Sequence, residues 1–287
     1  MAGLISVVAD GIAYGMLLFL FSIGLSVTLG LMRFINLAHG AFAMCGGYIA
    51  VILLNQMGVP FLLTLPLAFL VTGVIGSFAE RAVIRHLYRM PELQQVLFSI
   101  GLAFAASALA TIIFGPQQQP MLLPDWLTGR IDLFGLEITG YRLFLIGSGC
   151  VAAVGLIALF NYTLFGARIR ASVDNRRTAE GIGINVGRLF SLTFGFGAAL
   201  AGLGGALAVG FLGLDPTFPF KYLVIVLMVV AIGGPGSIAG SFIAAISLGV
   251  IDALFKYFVP EVGSFVIYAL LVVMMVFFPK GIAGRTA

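Results

Sequence analysis

Residues 11–31 read GIAYGMLLFLFSIGLSVTLGL, an apolar run without a single charged side chain. A helix needs roughly 20 such residues to cross the hydrocarbon core of a bilayer. The rest of the chain has the same character: 61% of its 287 residues are hydrophobic and 9% are charged. Soluble domains average about a quarter charged, and a globule of this size could not hide so much apolar surface from water. The expected fold class is therefore all-α, a polytopic membrane protein in contact with the lipid bilayer.

Apolar runs bounded by Gly, Pro or charge mark about nine segments: residues 11–31, 41–56, 60–78, 93–115, 141–163, 189–212, 222–234, 241–259 and 264–278. Those ending at Gln56, Gly234 and Phe278 are short for a full span, which leaves a count of about 8–10 transmembrane helices. Residues 1–10 show neither a basic n-region nor a small-residue cleavage site, so the first segment reads as a retained span. Arg81, Arg85 and Arg89 follow the third segment. Arg168, Arg170, Arg176, Arg177 and Arg188 follow the fifth, and Lys280 and Arg285 follow the last. The positive-inside rule assigns all three regions to the cytoplasm. With nine spans, the amino terminus is then outside, the carboxyl terminus is cytoplasmic, and residues 1–287 form a single transmembrane domain. The net charge of +4 is an orientation signal sorted into loops, with no nucleic-acid footprint.

Residues 116–140 form the expected extracytoplasmic loop. Pro116, Pro120 and Pro124 punctuate its first half, and alternation around Gly135 (IDLFGLEIT) predicts a short hairpin. Residues 164–188 are the expected cytoplasmic loop, dominated by GARIRASVDNRRTAEGIGINVGR at 166–188. Asp174 or Asn175 is placed to cap a short helix through Arg176 and Glu180, with Gly181 ending it in a left-handed turn. A preceding helical turn carries Arg168 and Ile169 through Val173. A basic anchor for anionic lipid is one reading of this amphipathic pair. A docking knob for a cytoplasmic protein is the other, favoured by the acidic and capping residues among the arginines.

Several chemistries are missing. There is no G-x-x-x-x-G-K-[ST], and GGPGSIAG at 233–240 lacks the lysine that would reach a phosphate. His39 and His86 are the only histidines, which excludes a multi-histidine metal site. No G-x-S-x-G elbow occurs. The chain is not expected to be an enzyme, nor to hold a metal or cofactor of its own. Cys45 and Cys150 sit in apolar segments and read as small hydrophobes. Asp10, Arg33, Asp252, Lys256 and His39 are the few ionisable residues in or near apolar segments; Asp252 and Lys256 are placed as an i,i+4 pair.

Two Gly-rich interruptions, RFINLAHGAF at 33–42 and GGPGSIAGSF at 233–242, are the candidates for a substrate path. Breaks at membrane depth are tolerated where backbone is buried in protein or lines a cavity, and they point to transport sites. Asn36, His39, Gly40, Gly233, Gly234 and Ser237 are the residues concerned. Tight turns between spans, with Asn36 and His39 as caps, are the plainer reading. Residues 195–205 pair Gly195 with Ala199, Ala198 with Gly202 and Ala201 with Gly205 at a spacing of four, which predicts a closely packed central helix.

The stretch from Gly166 to Arg188 resembles the cytoplasmic coupling loop of the LivH/LivM-type permeases of ABC importers. The residues that carry it are Arg168, Arg170, Ala171, Thr178, Ala179, Glu180, Gly183, Ile184, Asn185, Val186 and Arg188. INLAHGAF followed by MCGGY is similar to the LivH half in particular. GGPGSIAG is similar to the family's G-G-x-G-S-x-x-G, and FFPKGIAG to its R-P-x-G-L-x-G. The centre of the loop, DNRRTAE, departs from the family's N-P-E-A-A-like pattern.

The resemblance implies a permease subunit that translocates branched-chain amino acids (Leu, Ile, Val) across a bacterial inner membrane. It implies a second LivM-like permease, two cytoplasmic ABC ATPases that bind the ATP, and an external substrate-binding protein. The ATPase-coupling residues would be Arg168, Arg170, Asp174, Arg176, Arg177, Glu180, Gly181 and Gly183. A related permease for urea, short amides or another small solute is the neighbouring alternative, and a stand-alone secondary transporter a more distant one.

Overall fold

A computed structural model of the chain describes residues 2–32, 34, 36–133 and 136–277. Lys280, Arg285 and the FFPKGIAG ending beyond Phe277 lie outside the described residues, as does Arg33. In chain order the helices are α1 (Ala2–Met32), α2 (His39–Val51, continued by a π-helical turn Ile52–Gln56), α3 (Phe61–Ala82) and α4 (Glu92–Phe114). A short α5 (Asp125–Thr128) and a hairpin of β1 (Arg130–Leu133) and β2 (Leu136–Thr139) lead into α6 (Gly140–Tyr162). There follow α7 (Leu164–Asp174), α8 (Arg176–Gly181), α9 (Val186–Leu212), α10 (Phe218–Lys221), α11 (Leu223–Gly233), α12 (Ile238–Phe258) and α13 (Pro260–Phe277).

Six of these, α1, α3, α4, α6, α9 and α12, are long and apolar enough to cross a membrane. The segments at 41–56, 222–234 and 264–278 form the three shorter helices α2, α11 and α13. The chain is an all-α, multi-pass membrane protein.

Helix α9 sits at the centre, packed against α1, α2 and α3. Its small residues explain why: a Cβ added to Gly205 would lie 1.8 Å from the Ala43 carbonyl oxygen, and one on Gly46 2.2 Å from that of Gly202. Such backbone-to-backbone approach replaces side-chain burial as the source of packing in lipid. Helix α1 runs antiparallel to α12 by the same device. A Cβ on Gly249 would meet the Gly11 carbonyl oxygen at 2.4 Å, and one on Gly15 that of Ala245 at 2.8 Å.

Two helix sets, α1–α4 and α9–α13, share an order of long helix, short helix, long helix and last helix. They interlock, the first helix of each lying against the second long helix of the other: α1 with α12, and α9 with α3. Helices α4 and α6 stand at the rim, where Leu97, Phe104, Ile112, Val151 and Val154 are exposed to lipid or to another membrane subunit.

The described residues of the 116–140 loop lie at the opposite end of α4 and α6 from α7; Gly135, the expected centre of the hairpin, lies outside them. The hairpin expected from its alternating pattern forms, with β1 antiparallel to β2. Gln119 N donates to the Leu214 carbonyl at 2.7 Å, and Asn55 clamps the loop through the Pro120 carbonyl (2.8 Å) and Leu122 N (3.1 Å).

Candidate functional site

Helices α7 and α8 connect α6 to α9 and pack against each other. Thr163 caps α7 through Gly166 N at 3.3 Å, and Asn175 caps α8, its Oδ1 accepting from Thr178 N at 3.0 Å. Asn175 is thus the cap, and Asp174 is the last residue of α7. Ile169, Ser172 and Ala179 are buried while Arg168, Arg176 and Arg177 are exposed, so the pair is amphipathic and held by its inner face. The expected left-handed residue is displaced: Gly181 is the helical end of α8, and the positive φ (89°) falls at Gly183. There the chain must reverse to reach the Asn185 cap of α9, whose Oδ1 accepts from Arg188 N at 2.9 Å.

The arginines divide into separate roles. Arg170 donates to the carbonyl of Phe160 and so closes the end of α6. Arg176 pairs with Glu180 at 3.0 Å, four residues on. Arg177 is exposed and forms no ion pair among the described residues. Arg168 and Arg188 line a groove of about 500 Å³ with Phe165, Ile182, Gly183 and Leu192. Exposed Ile182 at its edge makes the groove basic at the walls and apolar at the lip.

A buried network beside this groove was not legible in the sequence. Glu80, 2% exposed at the end of α3, accepts from Ser191 Oγ (2.5 Å) on α9 and from the Tyr88 hydroxyl (3.1 Å). Ser191 in turn accepts from Arg81 Nε at 3.0 Å. Burial, and then the Glu80 carboxylate, push the Tyr88 phenol well above its ordinary value, so it remains a donor. Glu80 lies two residues beyond the apolar run 60–78, where nothing in the local sequence marks it as buried. Its partner lies more than a hundred positions away.

The two Gly-rich breaks are placed differently. Asn36 is 1% exposed, its Oδ1 accepting from Ala38 N at 3.1 Å while Nδ2 has no partner among the described residues. His39 opens α2, 3% exposed, and its Nε2 has no partner among the described residues. His39 and Gly40 line a cavity of about 10 Å³ with Phe21, Phe218, Pro219 and Tyr222. That is room for about one water, not an amino acid. Gly40 is where α2 meets α10: a Cβ there would lie 2.8 Å from the Pro219 carbonyl oxygen.

The second break is a tight turn packed on α1. Gly233 ends α11, Gly234 takes φ 88°, and Ser237 caps α12 through Gly240 N at 3.0 Å. Gly236 N donates to the Ser26 carbonyl at 3.0 Å, and Ser241 donates to Ser26 Oγ at 3.1 Å.

A bundle of apolar, membrane-length helices with two Gly-rich breaks and a basic two-helix element at one end is the architecture of a polytopic membrane subunit. The family described as "Branched-chain amino acid transport system / permease component" matches residues 7–275, and the chain belongs to it. It is 28% identical to the high-affinity branched-chain amino acid transport system permease protein LivH of Salmonella typhimurium, over 96% of this chain and 94% of that protein. To BraD of Pseudomonas aeruginosa, named in the same terms, it is 27% identical over 96% and 94%. LivM of Escherichia coli K12, also a permease protein of such a system, is 26% identical over 94% of this chain and 68% of LivM. No solved structure gives a significant match.

Proposed function

We propose that this chain is one of two permease subunits of an ATP-driven importer of branched-chain amino acids in a bacterial inner membrane. Full-length similarity to LivH and BraD supports the substrate class, and similarity to LivM makes a second, related permease the natural partner. The observation that carries the reading is the α7–α8 element, capped at both helices and buried on one face while Arg177 and the Arg168–Arg188 groove face away. A surface of that kind suits an acidic or polar protein partner better than lipid, because its charges are fixed by caps and pairs rather than free to spread over headgroups.

In this reading two ATPases bind and hydrolyse ATP on the cytoplasmic side. Their closure pushes on α7–α8, and the motion passes through Arg170 to α6 and through Glu80–Ser191 to α3 and α9. An external binding protein delivers the solute at the other face, against the 116–140 loop. The amino terminus is outside and the carboxyl terminus in the cytoplasm. Asn36 and His39, buried with unpartnered polar atoms at the head of α2, belong to the moving part of the path. Each such atom costs about 1–3 kcal/mol, a strain that rearrangement can relieve.

Purification of the tagged chain from its native membrane in mild detergent tests the assembly. ATPase subunits and a second permease should co-purify, with ATP hydrolysis stimulated by a leucine-loaded binding protein. A chain that purifies alone and moves solute on an ion gradient contradicts it.

A further inference from the structure

At the end of the bundle remote from α7–α8, a second and far larger cavity of about 470 Å³ opens between α1, the α10–α11 junction, α12 and α13. Its volume lies within the range of small-molecule sites, roughly 300–1,000 Å³. Its polar wall holds both signs of charge: Asp10 and Asp252 against Lys221 and Lys256, with tyrosines between them. Its lining also includes the apolar side chains of Phe211, Leu212, Ile225 and Ile267.

The charges are arranged in pairs. Asp252, with only 8% of its side chain exposed, holds Lys256 Nζ at 2.6 Å, and that ammonium lies 5.9 Å from the Tyr14 ring centroid. Lys221 pairs with Asp215 at the mouth, and Asp10 with Arg142. An exposed i,i+4 pair contributes little to stability and needs no cavity beside it. Here the carboxylate is buried and the ammonium half exposed, and both line an open space shared with apolar side chains.

We infer that this cavity is an outward-facing site for the zwitterionic head of an α-amino acid. The ammonium of the ligand docks on Asp252 and its carboxylate on Lys256, with Lys221 as a second cation at the mouth. The apolar lining takes an aliphatic side chain. The exchange keeps every charge matched, since one internal pair opens into two pairs with the ligand and no buried charge is left bare. A neutral amide or urea offers no such exchange and would have to break the Asp252–Lys256 pair without replacing it. The inference rests on the import reading for its substrate, and names where on this chain that substrate is first held.

The test uses the complete transporter from its native membrane, with Cys45 and Cys150 replaced by Ala and Ala253→Cys placed in the cavity wall. Uptake of leucine is measured first, then the rate at which a membrane-impermeant maleimide labels position 253. Leucine at about ten times its Kd should slow labelling about tenfold by simple occupancy. Leucinamide, which lacks the carboxylate, and 4-methylpentanoate, which lacks the ammonium, should not protect. Asp252→Asn should abolish protection by leucine. Labelling that leucine leaves unchanged in a complex that imports leucine overturns the site and spares the import reading. So does equal protection by leucinamide, or a position 253 that cannot be labelled because a neighbouring subunit covers it. A complex that imports no branched-chain amino acid overturns the import reading instead. The site is then judged by whether alanine or glutamine protects position 253, and it falls if neither does.

Discussion

Ser191→Ala is the sharpest perturbation of the link between α3 and α9. It removes a 2.5 Å hydrogen bond to the buried Glu80 carboxylate and a 3.0 Å bond from Arg81. Arg81 is exposed and rehydrates, so its share is small. Glu80 is 2% exposed and keeps only Tyr88 among the partners described here, so it bears the loss. Hydrogen bonds to charged groups contribute about 1.5–3 kcal/mol net, and that is the expected cost. In a Glu80→Gln background the same substitution should cost about 1 kcal/mol less, because the charge that made the bond strong is gone. Reversible unfolding in mixed micelles, read by dye labelling of partly buried Cys45 with Cys150 replaced by Ala, measures both numbers. A cost below about 0.5 kcal/mol, or an identical cost in the two backgrounds, would show that the bond does not hold the helices.

Arg177→Glu should leave insertion and thermal stability unchanged but lower substrate-stimulated ATP hydrolysis by about tenfold, the equivalent of about 1.4 kcal/mol at a docking contact. Arg170→Glu should instead loosen α6 from α7, which a drop in melting temperature would report. Gly205→Val drives a side chain into the Ala43 backbone at 1.8 Å, and the expected result is loss of folded protein on size-exclusion chromatography. At Asp215, burial raises the carboxyl pKa, yet hydrogen bonds from Lys221 and Thr217 outweigh it and hold the group below its ordinary value. A depressed folded pKa means the contribution is complete above the unfolded value, about 3.9, and is lost as pH falls through the folded one. Stability between pH 5 and 7 should therefore be insensitive to this pair, and Asp215→Asn should flatten part of the acid limb seen below pH ~4.

Much of this architecture was written in hydropathy. Among the described residues every apolar run holds a helix, and the three runs that were short for a span fall in α2, α11 and α13. The cap at Asn175, the 130–139 hairpin and the Asp252–Lys256 pair followed from local chemistry, in which residues a few positions apart decide the outcome. Long-range pairing was not legible. The reading began the first segment at residue 11 because Asp10 broke the run, whereas α1 starts at Ala2 and Asp10 is matched by Arg142 from α6. Gly181 attracted the left-handed turn because it follows the helix, but the reversal comes two residues later, where the chain turns to enter α9. The arginines of α7–α8 look equivalent in sequence. In the fold Arg170 is taken up by the Phe160 carbonyl and Arg176 by Glu180, whereas Arg177 is exposed without an ion pair among the described residues and Arg168 and Arg188 line the groove. The two Gly-rich breaks also look alike, yet one opens on a small cavity and the other is a turn sealed against α1.

The central claim is that this membrane subunit works by power supplied from another chain. Its most direct test is leucine uptake by proteoliposomes that contain the whole purified complex, with a loaded binding protein outside and ATP inside. Uptake should require internal ATP and fall about tenfold with Arg177→Glu, while proton and sodium gradients have no effect. Uptake that proceeds without ATP and follows an ion gradient would contradict it.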